Sequence, residues 1–226
     1  LFAQLADQGR AADKQMAGLA GLGWSQYKAG QLEQAAATFG QVLAKSPDAA
    51  LAAETALVRG QILQKLEQSD DALAMFDVVI QRHPASREMP QALLAAARLR
   101  HRLQQNERAA ELLQRLVKEF PKFPEMDSVL YDWGWVLADQ AKSPESSAAF
   151  ERLRKDYPKS RYWLDATFRL AQRAFAEKQF ARARELAQAA LAREPDPTLR
   201  ENLLFLAAQI AAGEERWQEA HAGFEL

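Results

Sequence analysis

Three histidines are the residues best suited to metal binding or to proton transfer near neutrality, because a neutral imidazole both ligates zinc and titrates in that range. They stand at His83, His101 and His221, far apart, and none lies in a ligand spacing such as H-x-x-x-H. His83 precedes a recurring proline at a helix end, where Phe120 and Tyr157 stand at equivalent places, so packing accounts for it better than chemistry. There is no cysteine, which excludes disulfides and thiolate metal sites. Neither a glycine-rich phosphate loop nor a nucleophile elbow is present. No set of nucleophile, base and oxyanion donors can be assembled. The sequence therefore argues against an enzyme, and no cofactor or metal is expected.

What remains is recognition. Arg98, Arg100, His101 and Arg102, with Arg108 and Arg115 beyond, form the most basic stretch. On a helix Arg98 and Arg102 share a face at i, i+4 while Arg100 points elsewhere. One reading is a solvated helix surface. The other is that Arg98, His101 and Arg102 receive an acidic or C-terminal carboxylate of a peptide. The formal net charge of −1 over 226 residues supplies no field to draw in nucleic acid or an anionic membrane. With no apolar run of about 18 residues, direct membrane insertion is not expected either.

These residues are carried by a repeat. Gly60, Ala72, Phe76 and Pro84 recur 37 positions earlier as Gly23, Ala35, Phe39 and Pro47, and the proline continues to Pro121, Pro158 and Pro195. A fixed period of this size means an array of identical supersecondary units, each packing on its neighbours. Apolar and small residues at i, i+3, i+4, i+7 spacing predict two helices per unit, each with one buried face. In the first unit these run near 12–29 and 32–45, with a break at Ala29-Gly30 and an end at Ser46-Pro47. No alternating strand pattern appears, so the fold is all-helical. Units are placed at about 11–47, 48–84, 85–121, 122–158, 159–195 and 196–226, the last cut short. Phe2 and Leu5, in phase with Phe39 and Val42, assign residues 1–10 to the second helix of a preceding unit. All 226 residues are read as one quasi-one-dimensional domain, a piece of a longer array.

Punctuation keeps the same period. Ser69, Asn106 and Ser143 are expected to cap second helices, Ser86 and Ser160 first helices, and Pro124, Pro144 and Pro197 suit first turns. Gly23, Gly60, Ala97, Gly134, Ala171 and Ala208 form one column of small residues. Ala35, Ala72, Ala109, Ser146, Ala183 and Ala220 form another. Helices that cross closely demand such residues.

On these residues the chain resembles the tetratricopeptide repeat (TPR) family, whose motif carries a small residue, an alanine, an aromatic and a proline in this order. The likeness is specific in the first two units and weaker in the third and fifth, where Leu113 and Ala187 replace the aromatic. The period is longer than the usual 34. Segments such as Phe120-Pro121-Lys122-Phe123-Pro124 and Tyr157-Pro158-Lys159-Ser160-Arg161-Tyr162 look like those of bacterial envelope proteins, including outer-membrane assembly lipoproteins.

The resemblance implies a right-handed α-solenoid whose first helices line a concave groove. Transferred by motif position, the groove candidates are Trp24, Tyr27 and Lys28, then Gln61, Gln64 and Lys65, then Arg98, His101 and Arg102. Tyr131, Trp135, Phe168, Gln172, Phe175, Phe205 and Gln209 continue the set. It further implies a non-catalytic scaffold that binds a protein or peptide partner, in the periplasm or associated with the envelope. The aromatics have two readings: packing on the neighbouring helix, or an exposed apolar patch at Tyr131, Trp135 and Phe168. The different class of function left open is a spacer that self-associates through its ends. Chaperone-type dicarboxylate clamping is disfavoured, since Ala20 and Trp24 stand where lysine and asparagine are needed.

The small-residue columns make a direct prediction. Ala72→Leu overpacks a helix crossing, at a cost of about 1–3 kcal/mol. Thermal denaturation should show a melting temperature several degrees lower, and an unchanged melt would contradict this register.

Overall fold

The computed structural model describes residues 2–45 and 48–225, with side chains described from residue 14 onward. Ser46, Pro47 and the side chains of Phe2 and Leu5 lie outside the described residues. Among the described residues there are twelve helices and no strand. They are α1 (Phe2–Lys28), α2 (Leu32–Ala44), α3 (Ala49–Lys65), α4 (Ser69–Arg82), α5 (Met89–Arg102) and α6 (Asn106–Glu119). The remainder are α7 (Met126–Asp139), α8 (Ser143–Asp156), α9 (Trp163–Ala176), α10 (Phe180–Leu191), α11 (Pro197–Gly213) and α12 (Trp217–Phe224). Residues 2–28 form one helix, so the expected break between a preceding unit and a first helix near residue 12 is absent.

The chain divides into two compact halves, Leu1–Leu116 and Val117–Leu226. In the N-terminal half α1 packs on α2, α2 on α3, α3 on α4 and α4 on α5. In the C-terminal half the order α7, α8, α9, α10, α11, α12 likewise runs through successive neighbours. The expectation of one buried face per helix holds for second helices such as α4, which buries Ala72, Leu73, Phe76, Val79 and Ile80. It fails for first helices. α3 buries residues on most of its circumference, from Ala52 to Leu63, because it is held between α2 and α4.

The small-residue columns are where rings enter. A Cβ on Gly60 would stand 2.6 Å from Phe76 Cε1, one on Gly134 2.5 Å from Phe150 Cε1, and one on Gly23 2.9 Å from Phe39 Cε1. Glycine inside a helix costs about 1 kcal/mol relative to alanine. Burying a phenylalanine contributes roughly 1.5–3 kcal/mol, so the exchange favours the fold. At equivalent places without the large ring the first helix carries alanine instead, Ala97 with Leu113 and Ala171 with Ala187. In the other column Ser146 differs from its alanine counterparts by a hydroxyl, which donates to the Gly134 carbonyl at 2.7 Å.

The turn inside each pair obeys a rule that side-chain identity conceals. Gly30, Glu67, Gln104, Ala141, Lys178 and Glu215 all have φ between 50° and 76° and recur at 37-residue intervals. Each closes a first helix with a two-bond cap: Glu67 N–H donates to Gln64 O at 3.2 Å and Gln68 N–H to Leu63 O at 2.9 Å. Ala141 and Lys142 repeat this on Ala138 and Leu137. This is the Schellman arrangement, in which left-handed backbone turns the chain so that stranded carbonyls find donors.

The same turn explains why the expected caps fail. Ser69 and Ser143 begin their helices instead of preceding them, and the N-cap positions are Gln68 and Lys142, with ψ of 70° and 65° and no side-chain bond. Asp48 and Asp196, with ψ of 162° and 159°, do cap α3 and α11, accepting from Leu51 N and Leu199 N respectively. Only the extended backbone swings a side-chain oxygen over the first turn. Ser86 and Ser160 likewise lie before the N-cap residues Glu88 and Tyr162. The Ser160 hydroxyl accepts from Tyr162 N–H and donates to Asp127. Asn106 is the first residue of α6. Pro144 and Pro197 occupy first turns as expected, whereas Pro124 lies in the turn before α7.

A residue with a Cβ pays a steric penalty of about 1–2 kcal/mol in the left-handed region that glycine avoids. Ala141→Gly should therefore raise stability by up to about 1 kcal/mol and move the urea midpoint upward. A drop in the midpoint would show that the turn is not held in that conformation.

Candidate interaction surface

The candidate side chains stand on the outer strips of the first helices, covered to different degrees. In the N-terminal half this strip holds Trp24 and Tyr27, both half-buried, and exposed Lys28 on α1. Trp24 meets Phe39 edge-on at 5.8 Å and Tyr27 at 6.0 Å. On α3, Gln61 and Gln64 are half-buried and Lys65 is exposed. Lys65 Nζ donates to Tyr27 Oη at 2.7 Å and lies 4.7 Å from the centre of that ring, tying α3 to α1 by their outer strips. On α5, Arg98 and Arg102 are exposed and His101 is half-buried. Arg100 points elsewhere, as the helical spacing requires. Its guanidinium reaches Asp77 at 3.1 Å and Gln105 at 3.0 Å.

In the C-terminal half the anticipated exposed patch of Tyr131, Trp135 and Phe168 does not form. Phe168 is 6% exposed and belongs to the packing of α9. Tyr131 and Trp135 are half-buried and engaged. The Tyr131 ring stacks on Tyr162 at 4.5 Å and its hydroxyl donates to Asp165 Oδ2 at 2.7 Å. Trp135 lies edge-on to Phe150 at 6.3 Å and carries the Arg169 guanidinium 4.5 Å over its ring. Phe175 is half-buried against Phe180 at 5.9 Å, and Gln172 and Gln209 are half-buried. Phe205 is 55% exposed and meets Phe224 at 5.6 Å. Tyr162, Asp165 and Arg169, which organise this strip, were not singled out by sequence. Their spacing follows helical proximity across α7 and α9, not a motif.

Among the described residues no group of three or more His, Cys, Asp or Glu could hold a metal ion. No described helix is long and apolar enough to cross a membrane.

Helix pairs of this geometry define a tetratricopeptide-repeat interaction scaffold. A tetratricopeptide-repeat model matches residues 21–49. The model described as YfiO, outer membrane lipoprotein, matches residues 50–194, more than half of the chain. The chain belongs to that outer membrane lipoprotein family. No curated protein matches it significantly.

Solved structures share the fold. The protein pilF of Pseudomonas aeruginosa is 16% identical, with 94% of this chain and 90% of that chain covered and a TM-score of 0.65. YrrB, described as a TPR protein with an unusual peptide-binding site, is 19% identical over 87% of this chain and 94% of its own, with a TM-score of 0.65. MamA from AMB-1 is 17% identical over 76% and 88%, with a TM-score of 0.62.

Burial, reinforced by the bond to Asp165, raises the Tyr131 hydroxyl to about 12. A group raised above its unfolded value of about 10 contributes stability that is complete below that value and is lost as pH climbs through the folded one. Among the four tyrosines, one should ionise late in an ultraviolet absorbance titration. Tyr131→Phe should remove that late step and flatten the loss of stability between about pH 10 and 12. A variant titrating like the parent would contradict the assignment.

Proposed function

We propose that this chain is a non-catalytic scaffold of the bacterial envelope that binds an extended peptide or a helix of a protein partner along the strips of its first helices. The observation that carries this reading is the contrast between helices. Second helices spend their polar faces on solvent, whereas the first helices keep mixed aromatic, amide and cationic side chains half-exposed at fixed intervals on α1, α3 and α5. Such a surface offers stacking area together with donors, the composition that peptide-binding faces use. Family membership in outer membrane lipoproteins supports the envelope location, and the peptide-binding site named for YrrB supports the kind of ligand.

A photo-crosslinking amino acid introduced at Gln61 or Arg102 should capture a partner segment from an envelope extract. The same probe at Gln114, exposed on the second helix α6, should capture little. Equal capture from both faces would overturn the assignment of the first helices as the binding side.

A further inference from the structure

In the C-terminal half α8 packs on α9, and there the packing columns change character. Ile62, Leu99, Val136 and Ile210 stand at one repeat position and are all buried. Arg173 holds that position on α9, with its side chain 42% exposed. One turn earlier Arg169 stands in a mixed column, where Val58 and Leu206 are buried and Ala95 and Asp132 half-buried. On the facing helix Ser147 takes the place of buried Ala36 and Leu73, in a column that also carries Arg184 and His221. At the Arg173 position a cation thus replaces a buried aliphatic, with Arg169 and Ser147 as polar neighbours at the interface.

The consequence is a cleft of about 310 Å³ lined by Trp135, Ser143, Ser147, Phe150, Arg169 and Arg173, among others. Its floor is aromatic and its rim cationic. Arg169 Nη1 donates to Gln172 Oε1 at 3.1 Å, while Asp165 Oδ1 stands 3.6 Å from its Nε. That buried Nε makes no hydrogen bond. Arg173 Nε donates to Glu177 Oε1 at 2.6 Å. Each guanidinium has five N–H donors, so both retain donors after these contacts. At i, i+4 they share one face of α9.

We propose that this cleft is a carboxylate-recognition subsite that takes an aspartate or glutamate side chain of a bound peptide between Arg169 and Arg173, with an adjacent apolar residue on Trp135. The charge count favours a monoanion. Asp165 and Glu177 already offset the two arginines, which suits one carboxylate better than a doubly charged phosphate. Paired guanidinium forks match the planar carboxylate, and the stacking of Arg169 on Trp135 holds one fork in place. The subsite rests on the peptide-binding reading above and narrows its ligand to acidic segments.

Arg173→Ile separates recognition from folding, because isoleucine is the residue this column carries at Ile62 and Ile210. Binding is measured by fluorescence anisotropy with N-acetylated, C-amidated dodecapeptides that carry one glutamate beside a leucine, against their glutamine counterparts. The wild type should bind the glutamate peptide at least tenfold more tightly. Arg173→Ile should abolish that preference while its melting temperature rises or holds. Equal affinity for the two peptides, or a preference untouched by Arg173→Ile, would each overturn the subsite. Crosslinking through Gln61 and Arg102 that persists without any glutamate preference would sink the subsite alone, leaving the scaffold reading intact.

Discussion

The interaction on which the rest depends is the entry of a phenylalanine ring into the space a glycine leaves. At Gly60 and Gly134 the ring lies closer than any real Cβ could stand, so first and second helices approach until backbone and ring touch. Interiors packed at crystal-like density have no slack to absorb an extra methyl there. That approach sets the crossing of those pairs. Where the ring is absent, as at Leu113 and Ala187, alanine returns to the first helix. The pair of sizes matters, not either residue alone.

A second constraint acts on the backbone. Six residues with left-handed φ, five of them not glycine, sit at equivalent turns. A lone glutamate, lysine or glutamine in that region is unfavourable, yet each is held by two hydrogen bonds to the end of the preceding helix. Two bonds at about 1 kcal/mol each are comparable to the steric penalty. The turn can therefore be kept without glycine, and only Gly30 announces it. The same geometry leaves the second helices without side-chain caps, a consequence of ψ near 65–70° at Gln68 and Lys142.

The packing rule is relaxed on the outer strips of α1, α3 and α5, where aromatic, amide and cationic side chains are half-buried or exposed. At the α8–α9 interface Arg173 stands where other units bury an aliphatic residue. Family membership accounts for the scaffold, and these departures from the repeat are what distinguish this chain's surface from a generic array.

The repeat period, the all-helical class and the columns of small residues were legible in the sequence, because they follow from side-chain size and spacing along one chain. That Gly60 and Ala72 stand at close crossings could be read that way. Whether an aromatic on a first helix is exposed could not, since Phe168 and Phe205 occupy the same repeat column yet one is buried and the other open. Their difference depends on what lies across from them. Arg169 over Trp135 and Tyr131 on Tyr162 share that property. Each is decided by contacts between helices that sequence spacing does not link, and so only the tertiary structure could decide them.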